Sequence, residues 1–237
     1  MCQGEKEIIW KPLISDPETL AKYAYMLGVE SKILFQDVYS TEEWALELID
    51  GELISIILLF PLTETLTKRR ECYNDPKNNK ILSPSDPGVW FMKQYVQNSC
   101  GAVALIHSIL NAKQIKVREG SFIHEISSIN GIDENIPIER GLFLKKNNNI
   151  EQMHEEITSC DRSCLNGPYE VDHHYVSFVL KNDHIFELDG RLSIPVNHGS
   201  CRKEDFLRHT FDIIKEKFID YLDESENVAI TVLIEDK

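Results

Sequence analysis

Residues 100–111 read CGAVALIHSILN, and this stretch decides the fold. Apart from His107 and Ser108, its residues are apolar on nearly every side of a helix. A helix that is apolar all round belongs in the interior of a domain. We therefore expect a helix at the centre of the core, with Asn98 or Ser99 as its N-terminal cap.

Helices and strands alternate on either side of this central helix. Residues 16–28 predict a helix, because Asp16 can cap its N-terminus and Gly28 suits its exit. The other predicted elements are a strand at residues 33–38, a capped helix at 41–51, a buried strand at 53–60, hairpin strands at 175–180 and 185–188, an amphipathic helix at about 204–221 and a strand at 228–234. This mixture predicts the α/β (α+β) class with a central sheet.

Two stretches have no sustained periodicity. Residues 63–88 are rich in charged residues, Asn and Pro, which predicts a long, mobile surface connection. Its basic triplet is expected to be a solvated patch and comprises Lys68, Arg69 and Arg70. Residues 145–172 contain the run KKNNN and are expected to be irregular as well.

Composition and charge limit the class of partner. The 237 residues carry 25 Lys and Arg against 39 Asp and Glu, a formal net charge of −14. An acidic surface repels nucleic acid and anionic membranes, so we expect neither as a partner. A partner with a basic face is attracted instead, and the first 60 residues, with 4 basic and 11 acidic side chains, hold half of the net charge. The apolar content of 42% is that of a globular protein, and residues 1–237 are predicted to form one domain.

Three features predict a cytoplasmic location. The first ten residues, MCQGEKEIIW, carry charge where a signal peptide needs an apolar run. The longest apolar run, residues 53–60, is far shorter than the ~20 residues that a membrane helix requires. The six cysteines show no spacing typical of a disulfide framework, which favours a reducing compartment.

Cys100 is a candidate nucleophile because it stands at the start of the predicted buried helix. Unpaired backbone N–H groups and the positive end of the helix dipole stabilise a thiolate at such a position. The alternative is an inert buried cysteine, which is the commoner case. Gly101 permits close approach of another backbone, but on this residue alone both interpretations stay open.

The predicted hairpin brings a histidine and a carboxylate together. If Asn182 and Asp183 form a two-residue turn, His174 and Asp189 lie on one face of the sheet as diagonal neighbours, roughly 7–8 Å apart. A carboxylate there can orient the imidazole of a nucleophile–base–acid triad. A turn shifted by one residue would separate the two, and His173 is expected on the opposite face.

The remaining candidates carry weaker signals. The amide of Gln94, together with the backbone N–H of Cys100, could form an oxyanion hole for acyl transfer. Cys160 and Cys164 with His154 could bind zinc, but the spacing lacks a second ligand pair and loop cysteines are the favoured interpretation. No phosphate-binding loop or metalloprotease motif occurs, so we expect no cofactor and no metal.

Four segments together resemble the ubiquitin C-terminal hydrolases, papain-like cysteine proteases, in their short single-domain form. The segments are FMKQYVQNSCG at residues 91–101, VDHHYVSFV at 171–179, ELDGR at 187–191 and PVNHG at 195–199. The resemblance extends along nearly the whole chain, with Tyr175 in place of the more usual Phe. It implies that Cys100 is the nucleophile, His174 the general base and acid, Asp189 the orienting carboxylate and Gln94 the oxyanion-hole donor.

The resemblance also implies a fold and a substrate. The fold is a central antiparallel sheet with helices on both sides, a knotted backbone and a crossover loop over the active site at about residues 155–171. The substrate is ubiquitin, or also a close ubiquitin-like modifier, cleaved after its C-terminal glycine, with Asp37 in a binding role and the enzyme a monomer. A ubiquitin-binding module without catalysis and a structural zinc protein are the alternatives.

Overall fold

The computed structural model describes residues 8–74, 88–131, 133–159 and 172–236. Within them the helices are α1 (Pro17–Leu27), α2 (Glu43–Leu46), α3 (Glu64–Glu71), α4 (Cys100–Leu110), α5 (Phe122–Ser127), α6 (Ile136–Lys146), α7 (Asn148–Ser159) and α8 (Phe206–Lys217). The strands are β1 (Ile33–Val38), β2 (Glu52–Pro61), β3 (His173–Lys181), β4 (His184–Leu188), β5 (Val196–Ser200) and β6 (Ala229–Glu235).

The six strands form one sheet in the order β1-β6-β2-β3-β4-β5, and every neighbouring pair is antiparallel. Strand β6, the last in the sequence, lies between β1 and β2, where Thr231 stands opposite Asp37 on one side and Ile57 on the other. The predicted class and the central antiparallel sheet are therefore confirmed.

Helices cover both faces of the sheet, because the strands are apolar on both sides. In β2, Ile57 packs into the cluster that contains α1, α4 and α5, whereas its neighbours Ile56 and Leu58 pack into the cluster that contains α8 and α3. Successive side chains of a strand point to opposite faces, so a strand that is apolar without interruption becomes buried on both.

Helix α4 is the central helix that the sequence predicts. Its residues from Cys100 to Ile109 are all buried, and it packs on β3 and β2. The expected side-chain cap is wrong: the Ser99 hydroxyl donates to the Val96 carbonyl at 2.8 Å, and the Asn98 amide donates to the Trp10 carbonyl at 3.0 Å. The first turn of α4 is thus not capped by either side chain.

Helix α1 also forms as predicted, whereas two other helices are shorter than expected. The Asp16 carboxylate accepts the Thr19 N–H at 2.8 Å, and Gly28 ends α1 with φ +117°, a value that favours glycine. The helix expected over residues 41–51 is a single turn, α2, whose N-cap residue makes no capping bond. The helix expected over residues 204–221 has its α-helical part at α8 and short 3₁₀ turns on either side.

The first stretch expected to be irregular begins with helix α3. The Thr63 hydroxyl accepts the Leu66 N–H at 3.2 Å and caps it. The helix buries Leu66 and Arg70, which are one turn apart. The expectation of a solvated basic triplet is therefore wrong for Arg70, and residues 75–87 of this stretch lie outside the described residues.

The second stretch is also helical in its described part. Helix α6 ends at Lys146 and α7 begins at Asn148. The Asn147 side chain accepts the N–H groups of Asn149 and Ile150 at 3.0 and 3.2 Å, so the Asn-rich run caps α7 and separates two helices. Of the expected crossover loop at 155–171, residues 155–159 are the end of α7 and residues 160–171 lie outside the described part of the chain.

Helix length and polarity also bear on membrane insertion. Among the residues that the structure describes, no helix is both long enough and apolar enough to cross a bilayer.

Candidate active site

The β3–β4 hairpin places the candidate histidine and aspartate. Asn182 and Asp183 adopt φ values of +49° and +57°, which are typical of a two-residue hairpin turn, and Lys181 pairs with His184. This is the register on which the sequence prediction depends. As a result His174, near the start of β3, and Asp189, directly after β4, meet on one face of the sheet.

His174 Nε2 lies 2.7 Å from Asp189 Oδ1, and both side chains are almost fully buried, at 1% and 2% exposure. His173 is exposed on the other side of β3, as expected from the alternation of a strand. In the neutral tautomer that donates to Asp189, the hydrogen of His174 is on Nε2. The other ring nitrogen, Nδ1, is then free to accept a proton.

The Asp189 carboxylate is held by three donors. Oδ1 accepts the Arg191 backbone N–H at 2.9 Å in addition to His174, and Oδ2 accepts Arg70 Nη2 at 2.5 Å. Burial would raise the pKa of Asp189, but the charges and hydrogen bonds of His174 and Arg70 outweigh burial and hold this pKa well below its usual range. The carboxylate is therefore ionised in the site.

Cys100 and His174 form the second half of the arrangement. Burial favours the neutral thiol, but interactions with His174, with the Tyr175 backbone N–H and with Arg191 lower the pKa of Cys100 below its ordinary value. Burial likewise disfavours the imidazolium, but Asp189 and Cys100 raise the pKa of His174. His174 Nδ1 has no hydrogen-bond partner among the described residues, although the thiol and the imidazole are close enough to shift each other's pKa.

Gln94 is tied to the site through its backbone. Its N–H donates to the Gly190 carbonyl at 2.8 Å, directly beside Asp189. A Cβ atom on Gly190 would lie 3.0 Å from the Gln94 Cβ atom, so glycine permits this close approach. The Gln94 amide donates to the Val96 carbonyl at 3.0 Å, and its Oε1 is buried without a partner in the described residues. This bond uses one of the two hydrogens on Gln94 Nε2, so the other is available to a ligand.

Asp37 is not among the residues that bond His174 or Asp189, and it lines a surface cavity of about 480 Å³. Its Oδ1 accepts the Thr231 hydroxyl at 3.0 Å, and the exposed Tyr39 lines the same cavity. The Tyr175 hydroxyl, which donates to the Leu13 carbonyl at 3.1 Å, interacts electrostatically with both Asp37 and Cys100.

Three further polar residues adjoin the site, and the sequence patterns did not predict them as site residues: Arg70, Glu187 and His198. Arg70 Nη2 lies 2.6 Å from Glu187 Oε1, and Glu187 Oε2 lies 2.9 Å from His198 Nε2. The signals that could have found them are modest. Glu187 and Asp189 share one strand face, and Arg70 follows Leu66 at helical spacing.

In the structure both ring nitrogens of His154, the histidine of the zinc alternative, have hydrogen-bond partners. His154 Nδ1 lies 3.1 Å from the Tyr23 hydroxyl, Nε2 lies 2.8 Å from the Lys11 carbonyl oxygen, and the ring stacks on Trp10. Burial lowers its pKa to about 4. Cys160 and Cys164 lie outside the described residues, and the described part of the chain holds no group of three His, Cys, Asp or Glu side chains that could bind a metal.

Comparisons with known proteins point to one protein family. The family described as Ubiquitin carboxyl-terminal hydrolase, family 1, matches residues 10–219. A Drosophila melanogaster protein named ubiquitin carboxyl-terminal hydrolase is 34% identical over 213 residues, which cover 88% of this chain and 90% of that protein. A Dictyostelium discoideum protein named probable ubiquitin carboxyl-terminal hydrolase is 36% identical over 218 residues, which cover 89% of this chain and 82% of that protein. The crystal structure of the Trichinella spiralis UCH37 catalytic domain bound to ubiquitin vinyl methyl ester is similar, with a TM-score of 0.75 at 21% identity and 99% of each chain covered.

Proposed function

The chain belongs to the ubiquitin carboxyl-terminal hydrolase family, and from this premise we propose that it is a cysteine-type deubiquitinating hydrolase. It cleaves small adducts or short peptides from the C-terminal glycine of ubiquitin. The observation that carries the proposal is the arrangement of Cys100 at the N-terminus of α4 and His174, whose Nε2 lies 2.7 Å from the ionised Asp189.

The reaction follows from the roles that these groups can take. The Cys100 thiolate attacks the carbonyl carbon of the terminal glycine, while His174 holds the thiol proton. The backbone N–H of Cys100 and the Gln94 amide stabilise the oxyanion. His174 then protonates the leaving amine, and the thioester that remains is hydrolysed by a water molecule which His174 deprotonates.

The acidic part of the chain provides attraction for the substrate. The ubiquitin tail is basic, and Asp37 stands at a surface cavity near Tyr175, which adjoins Cys100. We assign Asp37 a role in binding ubiquitin, and a close ubiquitin-like modifier with a similar tail is a second substrate.

Three further properties complete the proposal. We propose one catalytic domain over residues 1–237, acting as a monomer. We also propose a cytoplasmic location, a reducing compartment that suits the free thiol of Cys100. No cofactor takes part in the steps above.

The assay that tests the proposal is release of a fluorescent amine from the C-terminus of ubiquitin. We expect turnover by the wild-type protein, loss of at least about 10³-fold in Cys100→Ala and near wild-type turnover in the matched control Cys72→Ala. Retained turnover in Cys100→Ala contradicts the mechanism. Ubiquitin binding with no turnover by the wild type favours the binding module instead.

A further inference from the structure

Arg70 is a buried cation that the proposed reaction does not use directly. It stands in the last turn of α3, and its side chain is 10% exposed. Its guanidinium carbon lies 5.1 Å from the Phe60 ring centroid and 5.2 Å from that of Phe218, so aromatic rings enclose it. A cation in such a place requires compensating charge.

The compensating charge is the pair Glu187 and Asp189. These carboxylates are two residues apart, at the end of β4, and are 1% and 2% exposed. A single nitrogen, Arg70 Nη2, lies 2.6 Å from Glu187 and 2.5 Å from Asp189. Without the guanidinium, two buried like charges would face each other, and one of them would take up a proton or turn away.

We propose that Arg70 is a positioning residue for hydrolysis. By holding Oδ2 of Asp189, it keeps Oδ1 directed at His174 Nε2 and keeps the carboxylate ionised. Glu187, which also bonds His198 at 2.9 Å, fixes the guanidinium from the other side. Arg70 acts through Asp189 and touches neither substrate nor thiol. The inference rests on the proposed function, since it presupposes that His174 and Asp189 serve catalysis.

A purely structural role is the competing explanation, in which Arg70 only anchors α3 to the sheet. The two roles differ in what restores activity. If Arg70 acts by keeping Asp189 charged and oriented, turnover of an Arg70 variant should recover when free guanidinium is added. It should also recover when the negative charge of Glu187 is removed. An anchoring role predicts no such recovery.

The test uses the ubiquitin C-terminal amide assay on the full chain. We expect Arg70→Met to lower kcat by about 10- to 100-fold with KM changed by less than about 3-fold, as found when a group that orients a catalytic residue is lost. The matched control is Arg69→Met, because Arg69 is exposed and its guanidinium carbon lies 3.7 Å from the Tyr221 ring centroid, away from both carboxylates. This control should retain wild-type kcat.

Two rescue measurements separate positioning from anchoring. Arg70 lines a surface cavity of about 200 Å³, so guanidinium chloride at millimolar concentration can reach the space that Arg70→Ala leaves. We expect it to raise kcat of Arg70→Ala at least about 5-fold, with no effect on the wild type. We expect the kcat of the double variant Arg70→Met/Glu187→Gln to exceed that of Arg70→Met by at least about 3-fold, because the negative charge that faces Asp189 is removed.

Arg70→Lys keeps the experiment decisive should Arg70→Met fail to fold, as judged by circular dichroism. The lysine retains the charge, and we expect a kcat between those of the wild type and Arg70→Ala. The proposal is overturned if folded Arg70→Met matches Arg69→Met, if Arg70→Lys and Arg70→Ala are equal, or if neither rescue raises kcat. Failure of the proposed function is seen separately, as an inactive wild type or an active Cys100→Ala.

Discussion

His174 Nε2 and Asp189 Oδ1 lie 2.7 Å apart although 15 residues separate them in the sequence, and a two-residue turn brings them together. The bond orients the imidazole and stabilises its cationic form, which in turn favours the Cys100 thiolate.

Asp189→Asn should remove the orienting charge while leaving the shape of the side chain nearly unchanged. We expect kcat to fall by ~10²–10⁴-fold, because the amide cannot stabilise the imidazolium and favours the wrong tautomer. The matched control is Asp183→Asn in the exposed hairpin turn, where asparagine tolerates the positive φ. Steady-state kinetics on both variants decide the matter, and equal kcat values contradict the role of Asp189.

Reactivity of Cys100 should persist at pH values where an ordinary cysteine is protonated. Burial opposes both charged forms, yet the Cys100 pKa is lowered from 9.0 and the His174 pKa is raised from 6.5, because each group stabilises the other. Alkylation of Cys100 by iodoacetamide, mapped by peptide mass spectrometry from pH 5 to 10 in a Cys72→Ala background, should be substantial at pH 7. His174→Ala should shift the alkylation profile to higher pH. A wild-type rate that increases only near pH 9 is the opposing result.

Gly190→Ala should disturb Gln94 more than it disturbs the fold. The added Cβ atom would lie 2.9 Å from Val103 Cγ1, 3.0 Å from Gln94 Cβ and 3.2 Å from Gln94 N, so the backbone next to Asp189 must move. Overpacking of this kind costs about 1–3 kcal/mol in the free energy of unfolding. We expect a lower kcat with retained secondary structure, measured by kinetics and chemical denaturation. Wild-type kcat would show that the close approach is dispensable.

Salt should slow association of ubiquitin without affecting the chemical steps. The net charge of −14 and the half-exposed Asp37 attract a basic tail over distances that salt screens. We expect kcat/KM to fall severalfold between 20 and 300 mM NaCl with kcat little changed, and Asp37→Asn to reduce this dependence. Asp212→Asn, on the exposed side of α8, is the control. A kcat/KM independent of salt contradicts electrostatic steering.

The parts of the site that sequence reasoning predicts are those set by local rules. The register of the hairpin depends only on the turn at Asn182 and Asp183, so counting residues outward places His174 beside Asp189. Helix α4 is likewise predictable because its apolar residues surround the axis. In both cases short-range geometry determines the outcome.

The parts that it misses depend on contacts between distant segments. Arg70 bonds Glu187 and Asp189 across 117 and 119 positions, and no pattern within the basic triplet distinguishes it from its exposed neighbours. The Asn-rich run before α7 suggests a loop, although one of its side chains caps a helix. Of the two expected caps of α4, Asn98 is lost to a distant partner, the Trp10 carbonyl, whereas the Ser99 hydroxyl bonds the carbonyl of Val96 in the preceding turn.

The central claim is that Cys100 is a nucleophile which the ubiquitin C-terminus reaches. Intact mass spectrometry after incubation with ubiquitin that carries a C-terminal vinyl methyl ester tests it most directly. We predict a mass increase of one ubiquitin in the wild type and in Cys72→Ala, with the attachment mapped to Cys100, and no adduct in Cys100→Ala. An unmodified wild type, or an adduct that persists in Cys100→Ala, would contradict the claim.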